Sequence, residues 1–168
     1  MNHTNRGFTL IEVLVVVAIM GMLMLISYPS IMNSLETRGL ENAARDIQSS
    51  MQVAKFQAVK TRINHRIRFY TIAGPWFFAI ERQASDGTWD TMHGSIPKSI
   101  SNKFMLTLNL PAAKTVTFSA MGMISDFVNN LNSIVLESAK LKGYHQPDRR
   151  SIIVYAGGSL RYLKSTSG

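Results

Sequence analysis

Glu12 is the only charged side chain among the twenty-one residues from Phe8 to Tyr28, which are otherwise mainly Leu, Ile, Val, Met and Ala. At mid-bilayer a carboxylate costs about 2.5 to 3.5 kcal/mol on insertion scales, so such a group needs a partner or a function. A cut between Gly7 and Phe8 would supply one. Glu12 would become the fifth residue of a new N-terminus, in a first helical turn whose positive dipole end favours an anion. The new α-amino group, with an ordinary pKa of about 8, would lie about a turn away. The partner amine would belong to the same chain or to a neighbouring copy.

Other residue sets offer less chemistry. His3, His65, His93 and His145 are far apart in sequence, and no H-E-x-x-H, G-x-S-x-G, P-loop or Rossmann pattern occurs. His145 and Asp148 read as a surface pair in a Gly/Pro loop. Asp86 and Asp90 flank Gly87 without the twelve-residue spacing that wraps calcium, so a hairpin turn explains them. With no cysteine in the chain, there is no disulfide and no thiolate metal site. No catalytic residue, metal site or cofactor is expected. The net charge of +8 points toward anionic surfaces. From Ser138 onward Lys140, Lys142, Arg149, Arg150, Arg161 and Lys164 face Asp148 alone, with Tyr144, Tyr155 and Tyr162 interleaved. Cations that neutralise phosphates beside rings that stack on bases would suit single-stranded nucleic acid. Arg149, Arg150, Arg161 and Lys164 are the candidate contacts, and a solvated cationic sheet edge is the competing explanation.

The elements that would position these residues begin with a helix. At about 1.5 Å per residue the run from Phe8 to Tyr28 covers roughly 30 Å, the hydrocarbon thickness of a bilayer. Arg6 beside it favours a cytoplasmic N-terminus and an exported C-terminal domain. Pro29 removes a helical hydrogen bond and marks a kink. Helical periodicity then resumes, with Leu40, Ala44, Ile47, Met51, Ala54 and Ala58 as one apolar stripe. That stripe needs a sheet. Strands are expected at 66–72, 76–82, 104–110, 115–118, 133–137, 151–155 and 159–164, with hairpins at Asp86-Gly87 and Gly157-Gly158. The fold class is α+β, a long N-terminal helix packed on an antiparallel sheet. Residues 1–7 form a leader, 8–28 a membrane-spanning half-helix, 29–62 an amphipathic half-helix and 63–168 a β domain.

Arg6-Gly7-Phe8-Thr9-Leu10-Ile11-Glu12 resembles the cleavage signal of type IV prepilins and of the pseudopilins of type II secretion. The Ala-rich helix, Trp76-Phe77, Val116-Thr117-Phe118-Ser119-Ala120-Met121-Gly122 and the closing Ile152 to Arg161 extend the resemblance to minor pseudopilins of the H type and to the FimT minor pilins. The resemblance implies a type IV pilin-like fold, cleavage after Gly7 by a membrane prepilin peptidase, N-methylation of Phe8, and neutralisation of a neighbouring Phe8 amine by Glu12. It further implies a single-pass inner-membrane protein with a periplasmic domain, assembling with other pseudopilins or pilins. Exposed Trp76, Trp89 and nearby loops would then meet exported proteins or other minor subunits. The reading is a minor pseudopilin of the type II secretion filament. The alternative is a FimT-like minor pilin of a type IV pilus that binds DNA. Of that group's Gly-Arg-x-Arg signature, Gly158-Ser159-Leu160-Arg161 keeps only the second Arg.

Overall fold

The computed structural model describes residues 8–111 and 113–167. The leader, with Arg6 and Gly7, lies outside them. Two compact units result, Met1–Leu35 and Glu36–Gly168, and helix α1 (Leu10–Thr61) begins in the first and ends in the second. It passes Pro29 and Gly39 as one helix.

In the first unit the helix start is capped by Thr9. The Glu12 amide donates to Thr9 Oγ1 at 3.3 Å and to the Thr9 carbonyl at 3.1 Å, and the Val13 amide donates to the same carbonyl at 3.3 Å. Thr9-x-x-Glu12 is a capping-box sequence, so the turn carrying Glu12 is held by the residue three positions before it. From Phe8 to Leu25 every side chain is exposed, and α1 is long and apolar enough to cross a membrane.

In the second unit α1 brings Leu40, Ala44, Ile47, Met51, Ala54 and Ala58 into the core, each fully buried, as the three- and four-residue spacing requires. Two antiparallel sheets complete that core. Sheet 1 runs β3 (Trp89–Thr91), β2 (Trp76–Gln83), β1 (His65–Thr71) and β6 (Thr115–Phe118), with β4 (Lys98–Ile100) also paired to β2. Sheet 2 runs β5 (Phe104–Asn109), β7 (Ser133–Ser138), β8 (Arg149–Val154) and β9 (Leu160–Ser165). The chain crosses between the sheets after β4, after β5 and after β6. The inward residues of both sheets, among them Ile67, Phe69, Phe78, Phe118, Ile134, Leu136, Ile152 and Val154, join the helix stripe in one cluster. Small residues let this happen at short range: a Cβ on Gly39 would come within 3.3 Å of the Phe104 ring.

The expected α+β arrangement of a long helix on antiparallel strands is present, with the strands divided between two sheets. The three-residue strands β3 and β4 occupy a stretch read as loop, because they are too short for alternation to show. Helix α2 (Ala139–Gly143), with the Ser138 hydroxyl accepting from the Leu141 amide at 3.4 Å, follows β7 directly. Both expected hairpins form. At the first, Asp86 Oδ1 accepts from the Thr88 amide at 2.9 Å and the Thr88 hydroxyl at 2.6 Å, which holds the Asp86 carboxyl below its ordinary pKa. At the second, the Tyr155 amide donates to Ser159 O and Gly158 takes φ +71°, a conformation that favours glycine.

Candidate functional site

The first candidate is the helix start. Phe8 and Glu12 are both exposed, and no cation among the described residues pairs with the Glu12 carboxylate. The first turn of α1 thus presents the Glu12 carboxyl to the outside, with its backbone amide held by the Thr9 cap.

The second candidate, the basic C-terminal segment, is taken apart by the register. On β8, residues 150, 152 and 154 point inward, so Arg150 lies in phase with Ile152 and Val154 and is fully buried. Its Nη1 donates to Pro147 O and Arg149 O, both at 3.0 Å, and its Nε faces Glu41 Oε2 at 3.9 Å. Arg150 is an interior residue and cannot meet a phosphate, which corrects its assignment as a nucleic-acid contact. Arg149 points outward but its Nε donates to Glu137 Oε1 on the neighbouring strand at 2.5 Å. Arg161 and Lys164 are exposed on β9, opposite Ile153 and Arg150 respectively, which puts them on opposite faces of the sheet. The four do not converge.

Around Arg150 the polar groups are only partly paired: its Nε and Nη2 and the Tyr162 hydroxyl are buried without a hydrogen-bond partner among the described residues. Glu41 accepts from Arg45 at 2.7 Å, one helical turn on, and that hydrogen bond with the surrounding cations lowers its carboxyl pKa despite some desolvation. Tyr162 shares this region, and burial pushes its phenol upward, partly offset by Arg150. Asp148 is 1% exposed and turned away from solvent, contrary to its reading as half of a surface pair with His145. Its two oxygens take the Ser167 amide at 2.7 Å and the Ser167 hydroxyl. Burial alone would raise its carboxyl pKa; those two hydrogen bonds outweigh burial and lower it.

The tryptophans, expected as exposed contacts, are half-buried under cations: Arg66 lies 4.1 Å from the Trp89 ring centre and Lys114 lies 5.0 Å from that of Trp76. His65 is buried against Ile63 O at 2.8 Å. Among the described residues no group of three His, Asp or Glu side chains could hold a metal.

One arrangement escaped sequence reasoning. Lys55 Nζ donates to Gly158 O at 2.9 Å, tying the β8–β9 hairpin to α1 across 103 residues. The loop after β6 joins at the same point, where Gly122, at φ +76°, lies beside Val59 and Lys55. The Ile124 amide then donates to Ala156 O at 2.9 Å. The two glycine segments quoted for the family resemblance thus meet on one helical turn. Their joint spacing from Lys55 carried no local signal.

The prokaryotic N-terminal methylation motif matches residues 2–28. No curated protein matches the chain. Among solved structures, the minor pseudopilin EpsH of the type 2 secretion system of Vibrio cholerae aligns at 11% identity over 74% of this chain and 95% of its own, with a TM-score of 0.55. A second EpsH structure gives 10% identity, 78% and 97% coverage, and a TM-score of 0.56. The type IV minor pilin FimU of Pseudomonas aeruginosa aligns at 16% identity over 76% and 90%, with a TM-score of 0.54. The fold is that of minor pseudopilins and minor pilins, an α+β arrangement headed by the methylation motif.

Proposed function

We propose that the chain is a minor pseudopilin, a structural subunit of the short periplasmic filament of type II secretion, without enzymatic activity. The observation that carries this reading is the methylation motif over residues 2–28, heading an exposed apolar helix that leads into a pilin-like fold. In this reading a prepilin peptidase cuts after Gly7 and Phe8 is N-methylated. The chain waits in the inner membrane with its C-terminal domain in the periplasm. Assembly then transfers the apolar half of α1 into a bundle of like helices, where each Glu12 neutralises the Phe8 amine of an adjacent subunit. Pro29 gives the helix a point at which to bend on leaving the membrane.

The likeness to FimU supports a second reading of the same assembly chemistry, a minor pilin of a type IV pilus. The two share every feature of the helix start. Comparing exported proteins in the medium and periplasm of a deletion strain separates them. Proteins trapped in the periplasm, and released again by the restored gene, are expected for the secretion filament; unchanged secretion moves the assignment to the pilus. Intact-mass measurement tests the common step: the chain should begin at methylated Phe8, and Met1 retained beside an active prepilin peptidase overturns both.

A further inference from the structure

Between β3 and β4 the chain leaves the edge of sheet 1 and returns to it. β3 pairs with residues 81–83 of β2 and β4 with residues 76–78, and residues 92–97 form the span between them. Beside that span lies a cleft of about 360 Å³, within the roughly 300 to 1,000 Å³ of ligand sites. Phe78 and Ile80 line it from β2, Ser50 and Val53 from α1, and Met92 and Ile96 from the span. Every lining residue belongs to the folded unit Glu36–Gly168, so the cleft stands apart from the filament reading.

A free hydroxyl faces this space. Ser34 and Thr61 turn their hydroxyls back to the carbonyls of Ser30 and Gln57, four residues earlier in α1. Ser50 makes no such bond and has no hydrogen-bond partner among the described residues, although it is only 7% exposed and lines the cleft. A hydroxyl so enclosed calls for a partner, and the backbone amide or carbonyl of an incoming chain would supply one. Charge is absent by contrast. Lys98 is the one charged residue among the described residues lining the cleft, and its Nζ is held by Asp46 at 3.1 Å. In a chain of net charge +8 this surface suits an uncharged occupant.

The apolar surface also continues past the cleft. Ile96 is 82% exposed, and Val53 shares its helix face with Phe56, three residues on and 62% exposed. This face lies away from the buried stripe, where a surface helix ordinarily carries polar residues. A small molecule needs only the enclosed part. An apolar pocket ringed by further apolar contacts is instead how one protein anchors a side chain of another. We propose that the cleft docks another polypeptide, which seats one bulky uncharged side chain, aromatic or branched, against Phe78 and Ile80 and gives a backbone group to Ser50.

The test uses the full chain in phosphatidylcholine nanodiscs with isotope-labelled methionine methyls, because Met92 lines the cleft and Met105 is exposed on the other sheet. The probes are capped peptides Gly-Ser-Xaa-Ser-Gly with Phe, Leu or Ser at the centre, and toluene, the Phe side chain without its backbone. The Phe and Leu peptides are expected to move the Met92 resonance and leave Met105 in place, and the Ser peptide to move neither. Ser50→Ala should weaken the Phe peptide about fivefold, the worth of one hydrogen bond, and leave toluene unchanged. Affinity should be equal at about 0.05 and 0.5 M salt. Ser49→Phe, at an exposed lining position, should block the cleft, with an unmoved Met105 resonance showing the fold intact. A Met92 resonance that no peptide moves overturns the proposal. Toluene bound as tightly as the Phe peptide at equal free concentration assigns the cleft to small molecules and overturns it too. So do equal peptide affinity in Ser50→Ala, binding that fades with salt, and binding that survives Ser49→Phe.

Discussion

Gly158→Ala tests the junction on Lys55. A Cβ at this position would lie under 3.0 Å from the Gly122 carbonyl oxygen and 3.1 Å from its carbonyl carbon, both rigid backbone atoms, and 3.2 Å from Lys55 Nζ. At φ +71° the substitution also costs about 1 to 2 kcal/mol in backbone conformation. The clash separates the hairpin from the Gly122 loop and draws Gly158 O away from Lys55, a hydrogen bond to a charged donor worth about 1.5 to 3 kcal/mol. The expected loss is about 3 to 5 kcal/mol, or about 10 to 20 °C in the midpoint of a domain this size. Gly157→Ala is the control: nothing lies within 4 Å of its Cβ and its φ is not positive, so it should be neutral or raise stability by a few tenths of a kcal/mol. Thermal unfolding of the full chain in detergent, followed by the fluorescence of Trp76 and Trp89, reads the folded unit without interference from the membrane helix. Equal midpoints for the two variants would refute the junction.

Arg150→Met should cost under about 1.5 kcal/mol, because Glu41 keeps Arg45 and a buried ion is replaceable by apolar volume. Arg150→Ala should cost about 3 kcal/mol through lost packing; equal costs by urea titration would show that the charge matters instead. Asp148 has a folded pKa below its unfolded value of about 3.9. Its stabilisation is therefore complete above that value and is lost as pH falls through the folded one. Ser167→Ala should flatten this acid limb of the unfolding midpoint, and an unchanged pH profile would count against it. Glu12→Val should still be processed to begin at Phe8 yet enter filaments poorly, as read by immunoblot of sheared filaments; normal incorporation would deny Glu12 its role.

Helical periodicity alone identified the buried stripe from Leu40 to Ala58, because a helix on a core must repeat its apolar residues every three or four positions. The turns at Gly87 and Gly158 were legible for a similarly local reason, the need for positive φ. Partner choice between strands was not. β6 pairs with β1, some fifty residues upstream, while β5 passes over it to β7, and alternation along a strand does not name its neighbour. Arg150 shows how the basic segment misled. Its spacing from Ile152 and Val154 is that of an inward residue, but the side chain's charge suggested the surface. The Lys55 junction needed three segments brought together by the fold.

The division of the β2 edge bears on how copies of this chain meet. Two strands of three residues each share that edge, β3 at residues 81–83 and β4 at residues 76–78, so it is capped almost along its length. At the opposite border of sheet 1, β6 is four residues long; of the two border strands of sheet 2, β9 carries Arg161 and Lys164, while the six-residue β5 is uncharged. Short or charged borders discourage strand-to-strand growth between molecules. Under the function proposed above, where copies meet through their apolar helices, three of the four sheet borders are thus kept from competing with helix-to-helix stacking, and β5 is the border left open.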